Sequence, residues 1–186
     1  MKTFKKHLLW LVCTVVCIVL DQLTKWLTVT YLKPRYTVPI IKDAIHLTYV
    51  ENTGASFGML KDHRWVFMTV SVVMIIGIVV FLAFQKKIPT MMGLSLGMIL
   101  GGGIGNMIDR IMLGYVVDFI DFRLINFAVF NGADSFICVG AAILFVVVLK
   151  ADTESDKKKK AEKTGSKAEE NKTEEENTDV TGTGNE

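Results

Sequence analysis

Charge is missing from long stretches of this sequence. Trp65 to Phe84 is a run of 20 residues without Asp, Glu, Lys or Arg, and Ile88 to Ile108 is another of 21. At about 1.5 Å per helical residue, each is long enough to cross a hydrocarbon core of roughly 30 Å. With 51% of its 186 residues hydrophobic and a mean hydropathy of +0.38, the chain is too apolar for an ordinary soluble domain of this size. Cysteine is scarce as well. Cys13 and Cys17 lie one turn apart in an apolar stretch and Cys138 lies in another, none with metal-ligand spacing, so they read as apolar filler. There is no phosphate loop, no metal motif, and no Ser or Cys paired with a His; His46 and His63 read as surface loop residues. The basic start Lys2-Thr-Phe-Lys5-Lys6 precedes an apolar run, but no small-x-small cleavage site follows. Asp21-Gln22-Leu23-Thr24-Lys25 stands there instead, which argues for a retained span rather than a removed signal peptide.

Two further spans are interrupted. Leu8 to Leu20 is apolar and continues to Leu32 through Asp21, Gln22 and Lys25. Leu124 to Leu149 is broken by Asn126, Asn131 and Asp134 and ended by Lys150. The reading is an all-α membrane protein of four transmembrane helices (about 8–30, 65–84, 88–108 and 130–149) within a unit at 1–150. Gln85-Lys86-Lys87 makes a tight hairpin between the second and third spans. The loop at 33–64 contains Tyr36–Ile41 and Ala44–Val50, rich in β-branched and aromatic residues and separated by Lys42-Asp43. This predicts a small sheet at the membrane surface. Asn52-Thr-Gly54 marks a turn, followed by the mixed apolar stretch Ala55–Leu60. The loop Ile111–Arg123 carries Asp118 and Asp121. From Asp152 the composition turns to Lys, Glu, Thr, Gly and Asn, with Lys157–Lys160 in a row. Residues 151–186 therefore read as a disordered charged tail, its lysines suited to anionic headgroups. Four spans put both termini on one side. Loop charges nearly balance, and the hairpin and polylysine lean towards termini in the cytoplasm.

Ionisable groups within or at the edge of a span cost about 2.5–3.5 kcal/mol each on insertion scales, so each needs a reason. Lys150 stands sixteen positions after Asp134, about 24 Å of helix, which places Asp134 near one end of the fourth span. Asp109-Arg110 closes the third span at the same side, and Asp21 approaches it from the first. Asp109 reads as a structural ion pair with Arg110 as readily as a catalytic group. Arg110 itself could hold a neighbouring carboxylate, with Asn106 on the same helical face. Gly101-Gly-Gly103 and Gly105 allow either close helix packing or room for a ligand. Among Val116, Val117, Phe119 and Ile120, Asp118 should have its charged form disfavoured. Opposite Asp134 it would share a proton, the arrangement in which one carboxylate takes a proton from water and the other protonates the substrate. Asp121 has the same spacing logic, and the residues alone leave the two tied. A small ion-coupled transporter and a catalytically inactive scaffold are the alternatives; the gathering of carboxylates at one face argues against the first, and the aspartates themselves against the second.

Five blocks now resemble a known family: Asp21-Gln-Leu-Thr-Lys25, Asn52-Thr-Gly-Ala-Ser-Phe57, Gly105-Asn-Met-Ile-Asp-Arg110, Val116-Val-Asp-Phe119 and Phe130-Asn-Gly-Ala-Asp134. In this order, each at a span end, they are similar to lipoprotein signal peptidase (signal peptidase II), a bacterial membrane aspartyl protease. The resemblance covers about Leu8 to Lys150, with Gly132 and Ser56 as local variations. It implies catalytic aspartates at Asp118 and Asp134, choosing Asp118 over Asp121 by analogy. It implies supporting residues at Asp21, Asn52, Gly54, Asn106, Arg110 and Asn131. It further implies a β-cradle from the first loop at the outer face, both termini in the cytoplasm, and no metal, cofactor or nucleic acid. The substrate would be a diacylglyceryl-modified prolipoprotein, cut just before its lipidated Cys within the bacterial inner membrane. Membrane lipids and a globomycin-type inhibitor are the other expected partners.

Overall fold

The computed structural model describes residues 2–54, 64–85 and 88–153. Four helices are long and apolar enough to cross a membrane. They are α1 (Lys2–Leu27), α2 (Arg64–Phe84), α3 (Thr90–Met112) and α4 (Gly132–Thr153). Past Leu27, α1 widens into a π-helical turn, Thr28–Leu32, and a 3-10 turn, Lys33–Arg35. The hairpin lysines Lys86 and Lys87, the stretch Ala55–Leu60, His63 and the tail beyond Thr153 lie outside the described residues, although the helix itself continues through Asp152 and Thr153.

Glycine spacing explains how α1 meets α3. Gly93, Gly97, Gly101 and Gly105 recur every fourth residue and so line one face of α3. Against them α1 sets Trp10, Thr14, Cys17 and Asp21 in turn. The Thr14 hydroxyl donates to the Gly97 carbonyl across the interface, at 3.1 Å. The glycines therefore serve close packing, and Gly105 is what lets the Asp21 carboxylate lie against the α3 backbone. A Cβ on Gly101 would meet Cys17 Cβ at 2.6 Å and the Thr14 carbonyl oxygen at 2.9 Å. Gly101→Ala is expected to cost about 1–3 kcal/mol by forcing the helices apart, read as a lower unfolding midpoint in detergent. Gly77→Ala, with nothing within 4 Å of the added methyl, should show no such loss.

The sheet has three strands, not the two expected of the first loop. β1 (Thr37–Ile41) and β2 (Ile45–Asn52) form the predicted hairpin around Lys42-Asp43, Asp43 taking a left-handed φ of 61°. β3 (Val116–Phe122) then pairs antiparallel with β2, giving the order β1-β2-β3. The cradle is thus built from both connecting loops, and the chain is mostly rather than wholly helical. Its small core, Leu32, Tyr49 and Val117, closes against the end of α1. The approach to α4 is also set by pairing. Phe130 exchanges backbone hydrogen bonds with Ile120 (2.8 and 3.1 Å), bringing the start of α4 beside β3. The fourth helix begins at Gly132, close to the expected start near 130, and Leu124–Val129 before it is a turn and loop. His46, expected at the surface, is 9% exposed on β2 opposite Asp121.

Candidate active site

The α4 N-terminus builds half of the site. The Asn131 side-chain oxygen accepts from Asp134 N–H at 3.0 Å, and Asp134 Oδ2 accepts from Asn131 N–H at 3.2 Å. This reciprocal cap satisfies two otherwise orphaned helix donors. It also sets Asp134 in the first turn, where the helix dipole favours negative charge. The other oxygen, Oδ1, accepts from Asn106 Nδ2 at 2.7 Å. From β3 comes Asp118, 2% exposed. Its Oδ1 accepts from Asn131 Nδ2 at 2.6 Å and its Oδ2 from Asn52 Nδ2 at 2.8 Å. Asn52 is aimed by its own turn, since Gly54 N–H donates to Asn52 Oδ1 at 3.0 Å. Asn131 Nδ2 also reaches Asn106 Oδ1 at 3.1 Å, so two asparagines link the carboxyls. Burial pushes the Asp118 carboxyl up to about 6, and the charge of Asp134 adds to the rise; the bonds from Asn52 and Asn131 pull the other way.

Beneath this pair lies a buried ion cluster. Lys25, 3% exposed, meets Asp21 at 2.9 Å, Asp109 at 3.0 Å and Asn106 Oδ1 at 2.9 Å. Each of its two carboxylates then holds the backbone beside Asp134 or Asp118. Asp21 Oδ1 accepts from Ala133 N–H at 2.9 Å, and Asp109 Oδ2 accepts from Val117 N–H at 3.1 Å. Gln22 Nε2 spans Asp21 and Asp109 at 3.2 and 3.1 Å. One lysine thereby registers the neighbours of both Asp118 and Asp134. Lys25 and Gln22 were not singled out from the sequence. The signal was present as Asp21-x-x-x-Lys25, an i,i+4 ion pair inside an apolar span.

Arg110 does not pair with Asp109, whose partners are Lys25, Gln22 and Val117. The Arg110 guanidinium lies over the Phe67 ring, 5.5 Å from its centre, within the electrostatic reach of Asp134, Asp118 and Asp109. Asp121 is separated from the others. Thr48 Oγ1 and Arg123 Nε donate to its Oδ2 at 2.7 and 2.9 Å. Burial alone would raise its carboxyl, but these bonds and the Arg123 charge hold it below the ordinary range. The structure thus brings Asp21, Asn52, Gly54, Asn106, Asn131, Asp118 and Asp134 into one hydrogen-bonded network. Arg110 lies beside it and Asp121 outside it.

Residues 13–150 match the family described as Signal peptidase (SPase) II. A lipoprotein signal peptidase of Caldanaerobacter subterraneus subsp. tengcongensis is 52% identical over 134 residues, 70% of this chain and 90% of that protein. Its counterpart in Brevibacillus brevis is 47% identical over 133 residues, 72% and 89% of the two chains. That of Bacillus subtilis is 40% identical over 155 residues, 82% and 99%. A solved structure described as a bacterial membrane enzyme, by the in meso method at 2.3 Å resolution, superposes with a TM-score of 0.72. It is 28% identical and covers 78% of this chain and 90% of that one.

Proposed function

Since the chain belongs to the signal peptidase II family and is a multi-pass membrane protease, we propose that it removes signal peptides from diacylglyceryl-modified prolipoproteins. The cut falls just before the lipidated Cys, and Asp118 and Asp134 are the catalytic groups. The observation that carries this reading is the Asn106–Asn131 bridge between two carboxyls, one of them buried enough to keep its proton up to about pH 6. Four carboxylates, at Asp21, Asp109, Asp118 and Asp134, gather around two cations, Lys25 and Arg110, an excess of negative charge that favours uptake of one proton. Asp118, being deeply buried, keeps that proton, and Asp134 acts as the base of the pair. A water between them gives a proton to Asp134 as its oxygen attacks the scissile carbonyl carbon, and Asp118 protonates the carbonyl oxygen. The tetrahedral gem-diol collapses as one of its hydroxyls returns a proton to Asp118 and the Cys amine leaves with the proton from Asp134. Arg110 supplies positive charge beside the two carboxyls.

A substrate tethered by its lipid must be cut at the membrane edge, which suits carboxylates at helix ends beside a surface sheet. The site then faces the outer side of the bacterial inner membrane, with both termini in the cytoplasm and the three-stranded cradle over the peptide. A globomycin-type cyclic peptide would compete there. The direct test is the purified protein in detergent with a prolipoprotein, with and without its diacylglyceryl group. The expected products, mapped by mass, begin at the lipidated Cys; cleavage elsewhere, or equal cleavage of the unlipidated chain, would contradict the reading.

Two further outcomes follow. Asp121→Asn should keep cleavage within about threefold of wild type, because Asp121 lies outside the network; a loss like that of an Asp118 variant would transfer the catalytic role to it. The active form carries one proton on the pair, so kcat/KM should fall as pH rises through about 6. Asn52→Ala removes a bond that favours the Asp118 carboxylate, so it should move this limb to higher pH. A limb that stays in place would break the link between Asn52 and the titrating group.

A further inference from the structure

An arginine beside carboxylates ordinarily forks one of them with two N–H groups. Among the described residues the Arg110 guanidinium forms no such bond, although Asp134, Asp118 and Asp109 all lie within its electrostatic reach. Each of those carboxyls has its donors elsewhere. Asp109 accepts from Gln22, Lys25 and Val117 N–H, Asp118 from Asn131 and Asn52, and Asp134 from Asn106 and Asn131 N–H. What holds the arginine is a ring. Its guanidinium carbon lies 5.5 Å from the centre of Phe67, within the range of a cation–π contact.

That contact is placed by the packing of α2 on α3. A Cβ on Gly103 would meet Met74 Cε at 3.4 Å and Ile75 Cγ1 at 3.8 Å. Phe67 stands seven residues before Met74, and Arg110 seven after Gly103. Two turns along antiparallel helices therefore bring Phe67 and Arg110 together on the same seam. α2 offers the arginine nothing ionic there, since Trp65 to Phe84 has no Asp, Glu, Lys or Arg. The charges around it come from β3 as Asp118, from α4 as Asp134 and from α3 itself as Asp109. Asp21 and Lys25 of α1 are bonded to each other, and Lys25 to Asp109. The cation is thus close enough to bias the carboxyls and held off a direct bond with any of them.

We infer that Phe67 is a positioning residue, whose ring seats Arg110 beside Asp118 and Asp134 and keeps it from closing onto them. Without the ring, opposite charge in a poorly solvated site draws the guanidinium onto the two carboxyls. A direct ion pair favours the carboxylate form, so the pair gives up its shared proton at lower pH and the reaction loses its acid. The inference rests on the reading of Asp118 and Asp134 as the catalytic groups. It assigns Phe67 a part in that reading that acts only through Arg110.

Two measurements on the full chain in detergent test it: the titration of the Asp118 carboxyl by 13C NMR, its signal assigned with Asp118→Asn, and single-turnover cleavage of a diacylglyceryl-prolipoprotein. Phe67→Leu should lower the midpoint of the Asp118 titration by about one pH unit. At pH 6 that leaves about a tenth rather than half of the molecules protonated, a rate loss of about fivefold that narrows as pH falls. Phe67→Met, the second variant without a ring, should do the same, and Phe67→Tyr, which keeps the ring, should hold both readouts near wild type. A midpoint unmoved in both the Leu and Met variants would overturn the inference, as would a Tyr variant that shifts as far as they do. A lower unfolding temperature with the titration unmoved would assign Phe67 to packing alone. The titration needs no substrate, so it decides the seat of Arg110 even where a wild type that fails to cleave would sink the catalytic reading.

Discussion

Asp118→Asn and Asp134→Asn are each expected to lower cleavage of a lipidated prolipoprotein by about a thousandfold or more while leaving the fold intact. Proton transfer by a positioned group contributes about 10²–10⁴-fold, and here either change leaves the water without its base or the carbonyl without its acid. The Asp118 variant separates this from damage to the fold. Its carboxyl is pushed up to about 6 from an ordinary value of 3.8, so protonation favours the folded state. The stability it contributes is complete below about pH 3.8 and is lost as pH rises through 6. Above that pH, ionised Asp118 costs the fold up to roughly 3 kcal/mol, and a neutral Asn removes the cost. One of the two bonds from Asn52 and Asn131 is lost in exchange, about 1–3 kcal/mol. Asp118→Asn should therefore melt no lower than wild type at pH 8 although it is inactive. A variant that melts well below wild type would mean that the aspartate holds the structure together.

The second large effect belongs to Lys25. Lys25→Met keeps the length and apolar stem of the side chain but leaves Asp21 and Asp109 buried without a cation, a change expected to cost about 3–5 kcal/mol. Cleavage should fall as well, because Lys25 holds Asn106 Oδ1, and Asn106 Nδ2 holds Asp134. The bonds that Ala133 N–H and Val117 N–H donate to Asp21 and Asp109 carry the disturbance to the segments holding Asp134 and Asp118. Adding Asp21→Asn and Asp109→Asn to Lys25→Met removes the uncompensated charge. The triple variant should unfold at a higher temperature than Lys25→Met alone, an order that a simple loss of packing would reverse. Unfolding midpoints in one detergent at one pH suffice for the comparison.

The long helices were legible because a hydrocarbon core imposes one requirement, length without charge, that a single segment meets alone. The hairpin β1–β2 was legible for a related reason, since its partners are neighbours in the chain. β3 was not: its partner β2 lies more than 60 residues earlier, and the aspartates of Val-Val-Asp-Phe-Ile-Asp-Phe drew attention from its β-branched and aromatic content. That omission explains why Asp118 and Asp121 stayed tied. Side chains alternate along a strand, so two residues three apart point to opposite faces, and a strand at Val116–Phe122 would have separated them without any resemblance. The start of α4 was legible to within two residues, although the bridge from Phe130 to Ile120 that precedes it is non-local. His46 was placed at the surface on its residue type alone; burial of a strand residue depends on what packs over it. The gathering of Asp21, Asp109 and Asp134 at one end was readable from span lengths. The asparagine bridge and the pairing of Asp109 with Lys25 rather than Arg110 depend on side chains from four segments and on no local pattern.

The central claim is that Asp118 and Asp134 act as one unit, and a cycle of variants tests it most directly. Single-turnover cleavage of a diacylglyceryl-prolipoprotein should be measured for wild type, Asp118→Asn, Asp134→Asn and the double variant, all in one detergent. If the two carboxyls share a proton and a water, the first substitution removes the function and the second has nothing left to remove. The double variant should then be no slower than the slower single variant, with residual rates within about threefold. Losses that multiply, or a single variant that cleaves at the wild-type rate, would contradict the paired mechanism.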